Sequence, residues 1–166
     1  IAFELMNPEQ THTFEATKEM NLSVGVPQLG NFRINLFRQR GSISIVVRYI
    51  LGNIPALDSL LLPPVLADLV MERRGLILIV GSTGSGKSTT IASMLDHRNS
   101  NCAGHILTIE DPIEYLFKHK KSIVNQREIG MDTLGWNNAL KSAMRQAPDC
   151  ILIGEIRDKE TMQAAI

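Results

Sequence analysis

One octapeptide constrains this chain more than any other feature. Gly81-Ser82-Thr83-Gly84-Ser85-Gly86-Lys87-Ser88 fits the pattern Gly-x-x-x-x-Gly-Lys-Ser/Thr in full. It follows the apolar run Leu76 to Val80, which reads as a strand, and leads into a stretch that reads as a helix, with Thr89 prolonging the polar helix start. Backbone without Cβ can curl until successive N–H groups converge on one anion, and the following helix adds its positive N-terminal end. Lys87 then reaches the outer phosphates as a point charge, and the Ser88 hydroxyl suits a Mg²⁺ position. A glycine-rich turn that matches by chance is the competing explanation, and the coincidence of strand, loop and helix argues against it. The loop reads phosphate and metal, so it does not choose between ATP and GTP, although no Asn-Lys-x-Asp string of the guanine-reading kind is present.

The rest of the chain supplies a core to carry such a loop. Of its 166 residues, 44% are hydrophobic and 20% charged, which excludes a disordered tail or a collagenous rod. Lys and Arg total 17 against 17 Asp and Glu, so the balance gives no support to nucleic-acid binding. Cys102 and Cys150 are too few for a disulfide framework and lack zinc-site spacing, which points to a reducing, cytoplasmic setting. No apolar run approaches the ~18 to 20 residues that span a bilayer; Ile43 to Leu51 is interrupted by Arg48. The first residue is Ile1 and no signal peptide follows, so the chain reads as a piece of a longer one.

Two regions with different periodicities are expected. Phe32 to Phe37 alternates apolar and polar residues, Gly41-Ser42 breaks it, and Ile43 to Ile50 is β-rich, which predicts a hairpin behind the turn cluster Val26 to Asn31. The first 52 residues therefore read as the end of a small strand-rich domain, with a boundary near Asn53. Pro63-Pro64 opens a short helix from Val65 to about Glu72. Beyond it, nearly all-apolar runs (Leu76 to Val80, Ile106 to Ile109, Cys150 to Ile153) alternate with helical stretches, the pattern of a mostly parallel sheet with helices on both faces. Trp136, Ala139, Leu140, Ala143 and Met144 recur at helical spacing behind Thr133 as a candidate cap, and a last helix starts near Lys159.

Acids stand where such sheets keep their chemistry, at strand carboxyl ends. Thr108-Ile109-Glu110-Asp111-Pro112-Ile113-Glu114 is one segment and Ile151-Leu152-Ile153-Gly154-Glu155-Ile156-Arg157-Asp158 the other. An acid there can take a proton from attacking water or hold metal-bound water, and the phosphate loop supplies neither. The second segment has the form of a Walker B strand in which Gly154 takes the usual aspartate place, which moves the acidic role to Glu155. Solvated strand ends or helix caps are the plainer alternative for either segment alone.

Together with Asn125-Gln126-Arg127-Glu128, these segments resemble the type IV pilus retraction (twitching motility) ATPases, the PilT/PilU family of the secretion ATPase superfamily, over about Phe32 to Ile166. Ala147 within Arg145-Gln146-Ala147-Pro148-Asp149, and Asn53-Ile54-Pro55 with Arg73-Arg74-Gly75, point to its PilU-like branch. The resemblance implies a PAS-like α+β domain, of which residues 1–52 would be the C-terminal part, joined to an incomplete RecA-like P-loop ATPase domain over residues 53–166. It implies Glu114 as catalytic base, Glu155 beside Ser88 at the Mg²⁺, and Lys87 on the ATP phosphates. It further implies a homohexamer at the cytoplasmic face of the inner membrane, partnered by a pilus platform protein and a paralogous retraction ATPase. Arginines of the hairpin, Arg33, Arg38 and Arg48, are candidates to approach the nucleotide, with Arg127 and Arg145 behind them; surface positions explain each equally well.

The remaining signals are plainer. His12, His97, His105 and His119 show no ligand spacing, the Lys118 to Lys121 cluster reads as a solvated face, and Trp136 reads as core. Two other functions compete with a retraction motor: a pilus assembly or type II secretion ATPase, and a regulatory nucleotide-binding subunit with little turnover.

Overall fold

The computed structural model describes residues 1–50 and 52–165. Leu51 and Ile166, which closed the Ile43 to Leu51 run and the last expected helix, lie outside the described residues. Two compact units divide the chain, Ile1–Gly52 and Asn53–Ile166.

In the first unit, helix α1 (Pro8–Thr17) starts on a capping box: the Asn7 side chain accepts from the Gln10 N–H at 2.8 Å, and the Gln10 side chain accepts from the Asn7 N–H at 2.9 Å. Three antiparallel strands follow in the order β1 (Glu19–Val26), β2 (Gly30–Gln39) and β3 (Ser42–Ile50). The expected hairpin is β2 with β3, turned by Arg40 and Gly41 at φ 48° and 80°, the left-handed pair that tight hairpins need. Phe14, the one buried residue of α1, packs with Met6, Leu22, Ile34 and Leu36 into the core of this unit.

In the second unit, α2 (Val65–Met71) and α3 (Lys87–Asn101) precede a parallel sheet of β4 (Gly104–Glu110), β5 (Ser122–Glu128) and β6 (Cys150–Ile153), ordered β5-β4-β6. Helices α4 (Trp136–Ala143) and α5 (Lys159–Ala165) complete it. Strand alternation decides what each face of β4 meets. Ile106 packs with Val124, Leu95 and Leu152 under α3. Leu107 and Ile109 pack with Ala139, Leu140, Ala143 and Trp136 of α4 on the other side. All three buried β4 aliphatics are at most 1% exposed, and each such burial is worth ~1.5 to 3 kcal/mol. The connection out of β4 leads to β5 on one side and the chain returns to β6 on the other, so a crevice opens at the strand carboxyl ends.

Two expectations are corrected. Leu76 to Val80 is not a strand: Leu76, Ile77, Leu78 and Val80 are 45 to 90% exposed, and no strand among the described residues runs beside them. A parallel strand needs a neighbour for its hydrogen bonds, and apolar composition alone does not provide one. Thr133 does not cap α4; the cap position is Gly135. Thr133 is committed to a turn instead, its carbonyl accepting from the Gly130 N–H at 2.7 Å.

Candidate functional site

The glycine loop ends where α3 begins, with Gly86 at the cap position and φ of 92°. Gly84 also has positive φ, 79°, so both glycines hold conformations that side chains disfavour. Gly81 is needed for space: a Cβ there would lie 2.6 Å from the Ser85 Oγ. The Lys87 ammonium donates to the carbonyls of Gly81 at 2.9 Å and Ser82 at 2.8 Å, curling the loop around its own lysine.

A cleft of about 520 Å³ lies over the loop. Thr83, Gly84, Gly86, Lys87, Ser88 and Thr89 line one wall; Glu110, Asp111, Glu114 and Tyr115 line a second; Gly154 and Glu155 line a third. The structure thus brings Lys87, Ser88, Thr89, Glu114 and Glu155 together. Gly81, Ser82 and Ser85 are absent from the lining and shape the loop from behind, through the Lys87 bonds and the turn in which the Ser85 N–H meets the Ser82 carbonyl at 3.2 Å. Lys87 is the one cation of this lining, against four acids.

Each acid is held differently. Glu110 ends β4 on the α3 face, 8% exposed, and accepts from the Thr108 hydroxyl at 2.6 Å and the Gln126 amide at 3.2 Å. Burial raises its pKa, and those hydrogen bonds oppose the rise. Glu114 is exposed in the loop that follows. Glu155 is half-buried, with the exposed Arg157 Nε at 2.8 Å from its carboxylate; surface pairs of this kind contribute ~0 to 1 kcal/mol and hold an acid only loosely. Gly154 explains the missing aspartate: its N–H donates to the Ile109 carbonyl at 2.8 Å, and a Cβ would approach the Glu110 Cα to 3.3 Å.

The arginine candidates are placed as follows. Arg33 and Arg48 lie opposite each other across β2 and β3, and Arg38 sits 5.9 Å over the Phe14 ring. Arg127 donates to the Asp132 carbonyl at 3.0 Å, and neither Arg127 nor Arg145 lines the cleft. His119 accepts from the Val124 N–H at 3.1 Å, His105 meets the Gln146 carbonyl at 3.1 Å, and Lys120 pairs with Asp96 at 2.6 Å. Among the described residues no group of three or more His, Cys, Asp or Glu is arranged to hold a metal ion, and no helix is long and apolar enough to cross a membrane.

Two side chains to which the sequence assigned no role also meet the site: Tyr115, and Gln126 of the Asn125 to Glu128 segment. The Tyr115 hydroxyl lies 2.9 Å from the Thr89 Oγ1, which ties the acidic loop to the start of α3. Gln126 contacts Glu110, Tyr115 and Phe117.

Comparison with known proteins identifies the family. The chain is 47% identical over 162 residues to the type IV pilus ATPase PilU of Pseudomonas aeruginosa, covering 98% of the chain and 42% of that protein. It is 45% identical over 166 residues to the type IV pilus retraction ATPase PilT of the same organism, covering 48% of it. A crystal structure of the pilus retraction motor PilT with bound ADP superposes with a TM-score of 0.94 at 48% identity, over 99% of this chain and 49% of that one. The chain therefore spans about half the length of these relatives. The type II/IV secretion system protein family model matches residues 42–166, and with three quarters of its length inside that match the chain belongs to this family.

Proposed function

We propose that this chain is the nucleotide-handling part of an ATPase motor subunit that drives type IV pilus retraction, of the PilU-like kind. The observation that carries the reading is one cleft lined together by the glycine loop with Lys87 and Ser88, by Glu114 and by Glu155. In this reading loop N–H groups and Lys87 bind the β- and γ-phosphates, and Glu114, solvent-accessible on the facing wall, takes the proton of the attacking water. The base of the nucleotide is read as adenine because the matched relatives are ATPases and one holds ADP.

The charge balance supports a divalent cation. One lysine facing four acids cannot by itself attract a triphosphate. The Ser88 hydroxyl and the Glu155 carboxylate are hard oxygen donors on the same cleft, a donor set that suits Mg²⁺. When bound, Mg²⁺ supplies the positive charge that offsets the phosphates. Further cations then come from outside the cleft, as in a ring where neighbouring chains contribute arginines. Such a ring would be a homohexamer, working at the cytoplasmic face of the inner membrane on a pilus platform protein. Retraction is preferred to type II secretion because the matches to pilus motors run through 162 and 166 residues of the chain.

The direct test is Lys87→Ala, titrated with a fluorescent ATP analogue in Mg²⁺. Deleting a charge-assisted contact worth ~1.5 to 3 kcal/mol should weaken binding by roughly 10- to 150-fold. An unchanged dissociation constant would remove the phosphate-loop assignment.

A further inference from the structure

The loop that carries Glu114, residues 111–121, crosses from β4 to β5 without a helix, so the fold leaves its acid to be aimed by other means. Along β5 the residues facing α3 are Ser122, Val124, Gln126 and Glu128, in strict alternation. The last two are polar, and they stand at the carboxyl end of the strand, under the loop. The Gln126 amide oxygen accepts from the Phe117 N–H at 2.9 Å. Its nitrogen donates to the Tyr115 carbonyl at 2.8 Å and to Glu110 Oε1 at 3.2 Å. That orientation is forced, because a reversed amide would set its oxygen against a carbonyl and a carboxylate. Glu128, 3% exposed, accepts from the Ile113 N–H at 3.0 Å. Glu114 is thus bracketed by anchored neighbours on both sides, while its own side chain remains free in the cleft.

We infer that Gln126, assisted by Glu128, is a positioning residue that aims Glu114 at the phosphate loop by fixing the backbone at Ile113, Tyr115 and Phe117. Gln126 itself bonds to no residue of the phosphate loop; its partners Glu110, Tyr115 and Phe117 belong to the facing wall, so it acts through the wall that carries the acid. The inference rests on reading Glu114 as the proton acceptor. It has a size: a displacement of ~1 Å at a reacting group can cost about 10²-fold in rate.

The test compares wild type, Gln126→Glu, Gln126→Met, Glu114→Gln and the double variant Gln126→Glu/Glu114→Gln in the full-length protein. For each, steady-state ATP turnover, nucleotide dissociation constant and thermal midpoint are measured. Gln126→Glu keeps an acceptor for the Phe117 N–H and loses both donors; Gln126→Met keeps the volume and loses every polar contact. Both should lower kcat by about 10- to 100-fold and leave the nucleotide dissociation constant within about threefold, since no residue of the phosphate loop is replaced. On the Glu114→Gln background, Gln126→Glu should cost less than about twofold more, because a residue acting through Glu114 has nothing left to aim.

Wild-type kcat in both Gln126 variants would overturn the inference, as would kcat and affinity falling together. An additive loss in the double variant, or unfolding of both single variants, would assign Gln126 to the fold alone and overturn it too. If Glu114→Gln itself turned over at the wild-type rate, the proton-acceptor reading would fall, a result distinct from a silent Gln126 beside an inactive Glu114→Gln.

Discussion

Glu110 shows how a single side chain couples this site to solution conditions. Its burial outweighs the bonds from Thr108 and Gln126, so the folded protein holds its proton more tightly than the unfolded chain does. The folded state then binds more protons than the unfolded one from the ordinary value of 4.5 up to the raised one, and stability falls as pH rises through that window. Glu110→Gln keeps an acceptor for the Thr108 hydroxyl and removes the ionisation. Its thermal midpoint relative to wild type should therefore improve between pH 4 and pH 8. A difference that stays flat over that range would mean that Glu110 does not carry the effect. The sequence exposed this residue only in part. It placed Glu110 at a strand end, as it placed Lys87 and Ser88 by spacing, because a fixed spacing is the chemistry of a phosphate loop. Burial was illegible, since it depends on residues brought beside the carboxylate from elsewhere in the chain, Gln126 of β5 among them. Gln126 left a fainter signal, the polar residues two and four positions after Val124, which a strand with one solvated face would have explained equally well.

At the scale of elements, the helices and strands with one clear periodicity were legible and their partners were not. Strands β4 and β6 and helix α4 were expected from apolar runs and helical spacing, and they pack as that reading requires except at Met144, which follows the end of α4 and is 74% exposed instead of joining the apolar stripe. Leu76 to Val80 is as apolar as β6, yet it has no ladder among the described residues, because composition says what a segment tolerates and pairing says what it becomes. Helix α1 was missed although Asn7-Pro8 with Gln10 is a start signal, since the apolar stripe that would have drawn attention to it reduces to Phe14. Arg98 was also illegible. In a helix an arginine reads as solvated, but this one is 5% exposed and donates to the carbonyls of Val70 at 2.6 Å and Glu72 at 3.0 Å, closing the end of α2. Arg98→Met should keep the packing and strand those carbonyls, at a loss of ~1 to 3 kcal/mol. The expected readout is a lower denaturant midpoint with an unchanged m-value; an unshifted midpoint would show that α2 ends without help.

Across the whole molecule, the site's strongest binding element stands on its least supported segment. The phosphate loop springs from Leu76 to Val80, which are largely exposed, while Glu110 ends the buried strand β4, Glu114 stands in the loop after it and Glu155 just beyond β6. The cleft also has one lining cation for four acids. Both facts predict how these 166 residues behave when expressed alone. Nucleotide binding should be weak, because an unpaired segment lets the loop wander, and turnover should stay near background, because displacements of ~1 Å cost about 10²-fold and absent arginines about 10³- to 10⁵-fold in phosphate-loop enzymes. A full-length protein that closes into a ring should instead gain specific activity as concentration rises and chains assemble. The measurement is ATP turnover per chain for both proteins over a range of concentrations, with amide hydrogen exchange at Leu76 to Val80 as a second readout. Exchange there should be fast in the short chain and protected in the long one, since a strand that acquires a neighbour also acquires hydrogen bonds. Equal and concentration-independent turnover in both proteins would show that the cleft needs neither a partner strand nor borrowed cations, and the ring-dependent reading of the proposed motor would have to be given up.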